Sequence, residues 1–242
     1  RAERVCVGAG HDVDTELERV IPVIERLHQA TAGRVRISID TRRAAVAHAA
    51  AAAGATMLND ITASLHEVAA ELGMAWIAMH MRGEPRTMQD DPHYDDVVAE
   101  VSAELEAAAR AGEAAGVPEV WIDPGLGFGK NSDHNWQLVA HLDKLVALGW
   151  PVVVGASRKR FLGLALAASD ASHSSSASRS RPVAQAPAEQ MPVEPVRVEP
   201  VPVDDRREGS LVVATWAMMH GVRLIRAHEV RMTVHAARVV AA

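Results

Sequence analysis

The chain alternates short apolar runs, rich in β-branched residues, with longer alanine-rich stretches. The short runs predict six strands, at 35–40, 56–60, 75–80, 119–125, 151–157 and 223–229. They lack regular polar–apolar alternation, which is typical of parallel strands covered on both faces. The stretches that predict helices, several with one apolar stripe, are 14–29, 43–53, 95–115, 135–148, 209–220 and 230–241.

Strands that alternate with helices at this spacing indicate βα units and a parallel sheet. The chain has no dinucleotide-binding glycine fingerprint, which favours a (β/α) barrel over a doubly wound sheet. A closed barrel needs eight strands, whereas the pattern predicts only six. We therefore expect an α/β fold of the (β/α)8 TIM-barrel family with about six βα units. The chain, 1–242, is predicted to be one such domain, partial at its N-terminus.

One segment, 169–206, breaks the pattern. It is first serine-rich and then punctuated by prolines. Such a composition buries too little apolar surface to offset the entropy of ordering, so we predict a disordered or polyproline-like insertion within the domain. Its simplest interpretation is an inert surface loop, because long insertions cost little free energy.

Composition narrows the class of protein. Hydrophobic residues make up 48% of the 242 residues but aromatic residues only 3%, so the core must be built from Ala, Val, Leu and Ile. A net charge of −6 argues against a general nucleic-acid binder, which needs a basic surface. The single cysteine, Cys6, excludes a disulfide framework. No apolar run approaches the ~20 residues of a membrane span and no signal peptide is visible, so we expect a cytoplasmic protein with no membrane partner.

Polar and charged side chains follow every predicted strand. In a barrel, the loops at the carboxyl ends of the strands carry the active site. The residues are Asp40-Thr41, Asn59-Asp60, His80 with Arg82, Asp123-Pro124-Gly125, Ser157-Arg158-Lys159, and Arg226 with His228.

Each of these groups also has a structural interpretation. Asp40 could cap the next helix, and Asn59 with Asp60 could form an Asx turn. His80 could be a buried structural histidine, and the glycine-rich segment 123–130 could be only a turn. The cations at 158–160 could be a solvated helix start, although cations oppose the dipole at a helix N-terminus.

Together the strand-end groups indicate the kind of ligand. Two carboxylates and an amide can exchange hydrogen bonds with a flat nitrogen heterocycle; they are Asp40, Asp123 and Asn59. Positive charge for a carbonyl oxygen and a phosphate comes from Lys159, Arg226 and His228. Close approach of the backbone to a ligand is permitted at Gly127 and Gly129. A heterocycle that bears a phosphate-type leaving group fits this set.

Six segments resemble the dihydropteroate synthase family, in the order expected of it. They are "ISIDT", "GATMLNDITA", "IAMHMRGEPRTMQ", "IDPGLGFGKNSDHN", "VVVGASRKRFLG" and "LIRAHEV". The resemblance covers nearly all of 13–168 and 206–241. It implies condensation of 6-hydroxymethyl-7,8-dihydropterin diphosphate with para-aminobenzoate to give dihydropteroate and pyrophosphate. The family usually requires Mg²⁺ and is commonly a homodimer through its late helices.

The resemblance also implies roles for individual residues. The pterin ring nitrogens would be held by Asp40, Asn59 and Asp123, in a ring pocket lined by Met79, Gly127 and Phe128. The pterin carbonyl and the aminobenzoate would lie near Lys159. Arg226 would pack on the pterin face and, with His228, contact the departing diphosphate. The catalytic set implied is Lys159, Asp40, Arg226 and His228.

Two features of the family are not found in this chain. These are the first strand with its "NxTPDSF" loop and the second strand with its "ESTRPG" loop. The first loop normally supplies a metal-binding asparagine, so the metal ligands stay unassigned. One alternative is therefore a non-catalytic pterin-binding paralogue or a fragment. Another is the barrel of corrinoid-type methyltetrahydrofolate methyltransferases, which "SRKRF" and "RGEPRTMQ" disfavour because methyl transfer has no diphosphate to neutralise.

Overall fold

The computed structural model describes residues 3–6, 12–177 and 199–242. The strands in these ranges are β1 (Glu3–Cys6), β2 (Ile37–Asp40), β3 (Met57–Asp60), β4 (Ala75–Met79), β5 (Val120–Asp123), β6 (Val153–Val154) and β7 (Leu224–Ile225). The helices are α1 (Val13–Thr31), α2 (Ala44–Ala52), α3 (His66–Glu71), α4 (Val97–Ala114), α5 (Ser132–Ala140), α6 (Leu142–Val146), α7 (Arg160–Ala177), α8 (Arg207–Met219) and α9 (Val230–Val240). A 3-10 turn at Val203–Arg206 leads into α8.

All strand pairings in the described ranges are parallel, and neighbouring strands follow chain order. Strands β1 to β5 form one sheet in sequence order, and β6 pairs with β7. A parallel bridge between Ile122 and Val152 connects β5 to the start of β6. Because the order never reverses, the sheet has no switch point of the doubly wound kind and has the winding of a (β/α) barrel.

The six predicted strands are all present, and β1 is an addition. The structure therefore corrects the count of about six strands to seven in the described ranges. Strand β1, "ERVC", carries too few apolar residues to stand out as a run; its parallel pairing with β2 defines it. Helix α3 is also absent from the sequence prediction, since six residues are too few for a periodic pattern. The helix predicted at 135–148 is instead two helices, α5 and α6, joined at His141.

Regular structure extends past both predicted boundaries of the insertion at 169–206. Helix α7 continues to Ala177, and the 3-10 turn at 203–206 precedes α8. No glycine or proline lies between 164 and 177, so nothing in the sequence stops the helix earlier. Residues 178–198, the middle of the predicted insertion, lie outside the described residues.

Two compact units are distinguished within the chain. The first is Arg1–Gly155 with Trp216–Arg226, and the second is Ala156–Thr215 with Ala227–Ala242. The first unit contains every strand of the described ranges. In these ranges, no helix combines the length and the apolar character needed to cross a bilayer.

The core of the first unit is mainly aliphatic, as the composition predicts, but it also contains the fully buried Trp76 and several methionines, which the prediction did not include. Asp96 caps the N-terminus of helix α4, and its side chain accepts hydrogen bonds from the N–H groups of Val98 and Ala99, both at 3.0 Å. The inward stripe of α4, which includes Val101 and Leu105, is buried against the sheet. Between the strands, a buried cluster comprises Met57, Ala75, Ile77 and Val153, with Trp121 and Leu224 packed against it. This packing fixes the strands whose carboxyl ends carry the candidate site.

Candidate functional site

The strand register brings the predicted site residues to one edge of the sheet in pairs. Asp40 at the end of β2 is opposite Asn59 in β3. Met79 at the end of β4 is opposite Asp123 at the end of β5. Parallel strands end at the same edge, so side chains that follow different helices in the sequence become neighbours.

Arg226, which follows β7, joins three of these residues into one cluster. Its Nη1 donates to Asn59 Oδ1 at 2.5 Å. Its Nη2 donates to Asp123 Oδ2 and lies 3.8 Å from Met79 Sδ. Gly155 leaves room for the guanidinium, since a Cβ there would lie 3.1 Å from Arg226 Nε. We call Asn59, Met79, Asp123 and Arg226 the strand-end cluster.

The strand-end cluster has unused hydrogen-bonding capacity. Asn59 Nδ2 and Arg226 Nε are buried and have no hydrogen-bond partner among the described residues. The fully buried Asp123 carboxylate accepts from Gly125 N–H at 2.7 Å and from Arg226, whereas a carboxylate offers about four acceptor positions. An unpaired buried donor costs about 1–3 kcal/mol, so a ligand that pairs with it gains that amount.

A buried lysine holds the loop after β5. Lys130 is 2% exposed, and its Nζ donates to the carbonyl oxygens of Gly125 at 3.2 Å and Phe128 at 3.0 Å. The Gly127 N–H donates to Asn135 Oδ1 at 2.6 Å. The predicted pocket residues Gly127 and Phe128 therefore lie in a loop whose backbone is held by the buried Lys130 ammonium group. Sequence reasoning missed Lys130, although its place at the end of "GLGFGK" was the available signal.

His80, considered among the strand-end groups, is a structural residue. Its Nδ1 lies 2.9 Å from Lys130 Nζ, which as an ammonium can only donate, so the ring carries its proton on Nε2. Nε2 lies 3.1 Å from Glu104 Oε2 but makes no well-aligned hydrogen bond among the described residues. Burial, reinforced by the positive charges of Lys130 and Arg82, lowers the pKa of His80 to about 3. His80 is therefore neutral at physiological pH.

Arg82 also belongs to the scaffold. It pairs with Glu100 at 2.8 Å and with Glu104, and it lies 4.1 Å from the centre of the Tyr94 ring. Burial raises the pKa of Tyr94 to about 12, and its hydroxyl donates to the Gly129 carbonyl at 2.9 Å. These contacts tie α4 to the far end of the β5–α5 loop.

Asp60 fits the structural interpretation of an Asx turn. Its buried carboxylate accepts from the backbone N–H groups of Thr62 at 2.9 Å, Ser64 at 2.7 Å and Leu65 at 2.7 Å. Asn59 beside it is directed to Arg226 instead. The sequence pair Asn59-Asp60 thus divides into one candidate site residue and one turn residue.

Lys159 and His228 belong to the second unit. The Ser157 hydroxyl lies 2.9 Å from His228 Nδ1 and accepts from His228 N–H at 3.2 Å. Arg158 pairs with Glu229, and its hydrogen bond lowers the pKa of that carboxyl. The segment that carries Lys159 is therefore bonded to the segment that carries His228. The binding and catalytic roles expected of these two residues, and of Asp40, stay predictions.

The described residues contain no group of three or more His, Cys, Asp or Glu side chains that could hold a metal ion. Asp60 and Asp123 are already engaged by protein donors. Because Mg²⁺ is usually bound by only one or two carboxylates together with substrate phosphates, the Mg²⁺ expected from the resemblance stays a prediction.

Parallel βα units with polar and charged side chains at the carboxyl ends of the strands are typical of (β/α)-barrel enzymes. The family model described as "Pterin binding enzyme" matches residues 7–228, and the chain belongs to this family. Its similarity to dihydropteroate synthase of Mycobacterium leprae (strain TN) is 39% identity over 239 residues, covering 96% of the chain and 74% of that relative. The solved structures that the chain resembles are dihydropteroate synthases with a TIM-barrel fold, which confirms the fold class predicted from the sequence.

Two further comparisons bear on function. Dihydropteroate synthase from Thermus thermophilus, solved in complex with 6HMPPP, has a TM-score of 0.76 and 38% identity, covering 96% of this chain and 80% of that one. "Inactive dihydropteroate synthase 2" of Mycobacterium leprae is 36% identical over 239 residues, covering 93% of this chain and 70% of that relative. Similarity of this degree therefore includes both active and inactive relatives.

Proposed function

We propose that the chain is a dihydropteroate synthase, a transferase of folate biosynthesis. It condenses 6-hydroxymethyl-7,8-dihydropterin diphosphate with para-aminobenzoate. The observation that carries the proposal is the strand-end cluster, in which Asn59 Oδ1 and the buried Asp123 carboxylate accept from the same arginine, while Asn59 Nδ2 is buried with no partner among the described residues. A flat heterocycle with adjacent N–H donors and an acceptor nitrogen or oxygen satisfies both groups at once.

Each member of the strand-end cluster has a proposed task. The Asp123 carboxylate accepts from ring N–H groups with its remaining lone pairs, and Asn59 Nδ2 donates to a ring acceptor. The Arg226 guanidinium is planar and stacks on the ring face beside the Met79 thioether. Asp40, whose backbone pairs with Asn59, adds a second carboxylate.

The reaction needs positioning and charge stabilisation but no covalent enzyme intermediate. The bond between the exocyclic carbon of the pterin and the diphosphate oxygen breaks, and pyrophosphate leaves with the electron pair. The amine of para-aminobenzoate forms the new C–N bond and then loses a proton to water. Carboxylates near the ring stabilise the positive charge that develops on the pterin, while Arg226, His228 and Lys159 act on the departing and carbonyl oxygens.

Mg²⁺, expected from the resemblance, stays a prediction, and no step above depends on it. A cytoplasmic location and a homodimer also stay predictions; light scattering coupled to size-exclusion chromatography tests the second.

The second candidate is a pterin-binding protein without catalytic activity. The similarity to an inactive relative favours it. Both candidates require the strand-end cluster to bind the pterin, and they differ only in turnover.

Two measurements on the purified chain separate the candidates. Calorimetric titration with the pterin diphosphate measures binding, and pyrophosphate release in the presence of para-aminobenzoate measures turnover. We expect both signals, with loss of binding by about 10²-fold in Asp123→Asn and loss of turnover by about 10²-fold in Lys159→Ala. Asp90→Asn, at an exposed aspartate, is the matched control and should change neither.

The outcomes are distinct. Binding without pyrophosphate release supports the non-catalytic candidate. No binding, or unchanged binding in Asp123→Asn, overturns the pterin site itself.

A further inference from the structure

The turn that precedes α7 contains a strained residue. Arg158 has φ = 62°, in the left-handed region that a non-glycine residue enters only against steric strain. The turn closes through the Lys159 N–H, which donates to the Ala156 carbonyl at 3.1 Å. Lys159 follows the strained residue directly, and α7 begins at Arg160. The direction in which Lys159 leaves the backbone therefore depends on Arg158 staying in this conformation.

Two buried side chains bind both backbone polar groups of Arg158. The Ser210 hydroxyl oxygen accepts from Arg158 N–H at 2.9 Å. Arg206 Nη1 donates to the Arg158 carbonyl at 3.1 Å. Ser210 is 7% exposed and Arg206 is 8% exposed. The Ser210 hydroxyl in turn donates to the Arg206 carbonyl at 2.5 Å, so the two side chains act on the turn as one unit.

Arg206 is itself held in place. Its Nε donates to the Val201 carbonyl at 2.9 Å, and the Val201 N–H donates to the Gly163 carbonyl at 3.1 Å. Gly163 is required for this approach, because a Cβ there would lie 2.6 Å from Arg206 Nε. A buried arginine whose donors serve backbone carbonyls on both sides has a defined position, unlike a solvated surface arginine.

We infer that Arg206 and Ser210 are positioning residues that hold Arg158 in its left-handed conformation and thereby orient Lys159. The inference rests on the proposed function for the role of Lys159. Neither residue needs to touch substrate. A turn of this kind normally takes glycine or asparagine, so an arginine here requires support from its surroundings.

Ser210→Ala is the most direct test, because it removes the acceptor of the Arg158 N–H; it also removes the bond of the hydroxyl to the Arg206 carbonyl one helical turn earlier, which the control must match. We expect kcat to fall about tenfold, since the buried N–H is left unpaired and the turn leaves its native conformation part of the time. Thr215→Ala is the matched control. The Thr215 hydroxyl on the same helix makes the same kind of bond, to the Leu211 carbonyl at 2.9 Å, and does not serve the turn.

A rescue experiment separates positioning from general destabilisation. Glycine adopts positive φ without strain. In an Arg158→Gly background, the further change Ser210→Ala should therefore lower kcat by less than about twofold. If Ser210→Ala costs the same factor in both backgrounds, the inference is overturned.

A second readout does not depend on turnover. The chain has only three lysines, and Lys130 is buried, so reductive methylation of the folded protein with ¹³C labels the accessible Lys144 and Lys159, whose signals Lys→Arg variants assign. We expect Ser210→Ala to shift or broaden the Lys159 signal and to leave Lys144 unchanged, whereas Thr215→Ala changes neither. An unchanged Lys159 signal in Ser210→Ala overturns the inference. Absence of turnover in the unmodified chain, with the Lys159 signal still altered in Ser210→Ala, counts against the proposed function alone.

Discussion

Acidification should destabilise the protein through one buried histidine. His80 has a pKa of about 3 in the folded protein, below the ordinary value of 6.5, because burial disfavours its charged form. Between these two values the unfolded chain binds a proton that the folded chain does not. The stability conferred by neutral His80 is therefore complete above pH 6.5, declines as the pH falls, and is lost by about pH 3.

The magnitude follows from the two pKa values. The pKa of His80 falls from 6.5 in the unfolded chain to about 3 in the folded protein, and each pKa unit corresponds to about 1.4 kcal/mol. Acidification to about pH 3 therefore lowers the free energy of unfolding by about 5 kcal/mol through this residue. Between pH 7 and pH 5 the loss is about 2 kcal/mol. That change is a large fraction of the roughly 5–15 kcal/mol by which native proteins are stable.

Urea denaturation at pH 7 and pH 5 measures this loss. Other groups titrate in the same range, so the comparison is between wild type and His80→Gln, whose amide does not titrate. We expect the stability of His80→Gln to fall by about 2 kcal/mol less than that of wild type over this interval. His93→Gln, at an exposed histidine, is the control and should follow wild type. Equal pH dependence of wild type and His80→Gln would refute the argument.

Two further substitutions test the loop after β5. Lys130→Met removes the donor to the Gly125 and Phe128 carbonyls, at a cost of about 1 kcal/mol for each lost hydrogen bond. In a chain of this size this cost should lower Tm, measured by calorimetry, by roughly 4–8 °C. Lys144→Met, on the exposed face of α6, is the control and should leave Tm unchanged. Gly125→Ala should lower the unfolding free energy by about 3 kcal/mol or more and weaken pterin binding, because the added Cβ would overlap the His80 carbonyl at φ = 63°. Gly73→Ala, at φ = 61° with nothing within 4 Å, should cost only about 1–2 kcal/mol in the same urea denaturation.

Each of these substitutions can contradict its argument. Equal Tm values for Lys130→Met and Lys144→Met would mean that the buried ammonium does not hold the loop. Equal costs for the two glycine substitutions would mean that positive φ alone, and not the close approach to His80, requires Gly125.

The parts of the fold that sequence predicts are those with a local signal. Six strands appear as apolar runs, and the inward stripe of α4 repeats at helical spacing. Strand β1 has no such signal, because its pairing with β2 defines it. Helix α7 is not among the predicted helices, because a serine-rich composition is typical of disorder, although no glycine or proline lies between 164 and 177.

The candidate site was predicted in its residue types but not in its contacts. The strand-end positions of Asn59, Asp123 and Arg226 follow from the βα pattern. The contacts of Arg226 with Asn59 and Asp123 could not be predicted, because side-chain pairing across the sheet leaves no local pattern in the sequence. Lys130 was missed for a similar reason: burial of a lysine depends on carbonyls and a ring that surround it only in the folded chain. The substrate names came from the family resemblance.

Chain order in the sheet has a consequence for how the protein folds. Arg226 contacts Asn59 across 167 residues of sequence and Asp123 across 103. Strands β1 to β5 pair with their sequence neighbours, and such contacts form faster than distant ones. The arginine follows the last strand of the described ranges, so the strand-end cluster is among the latest features to form. We expect pterin binding during refolding to lag behind the recovery of helical signal, which makes ligand capture a probe of completed folding.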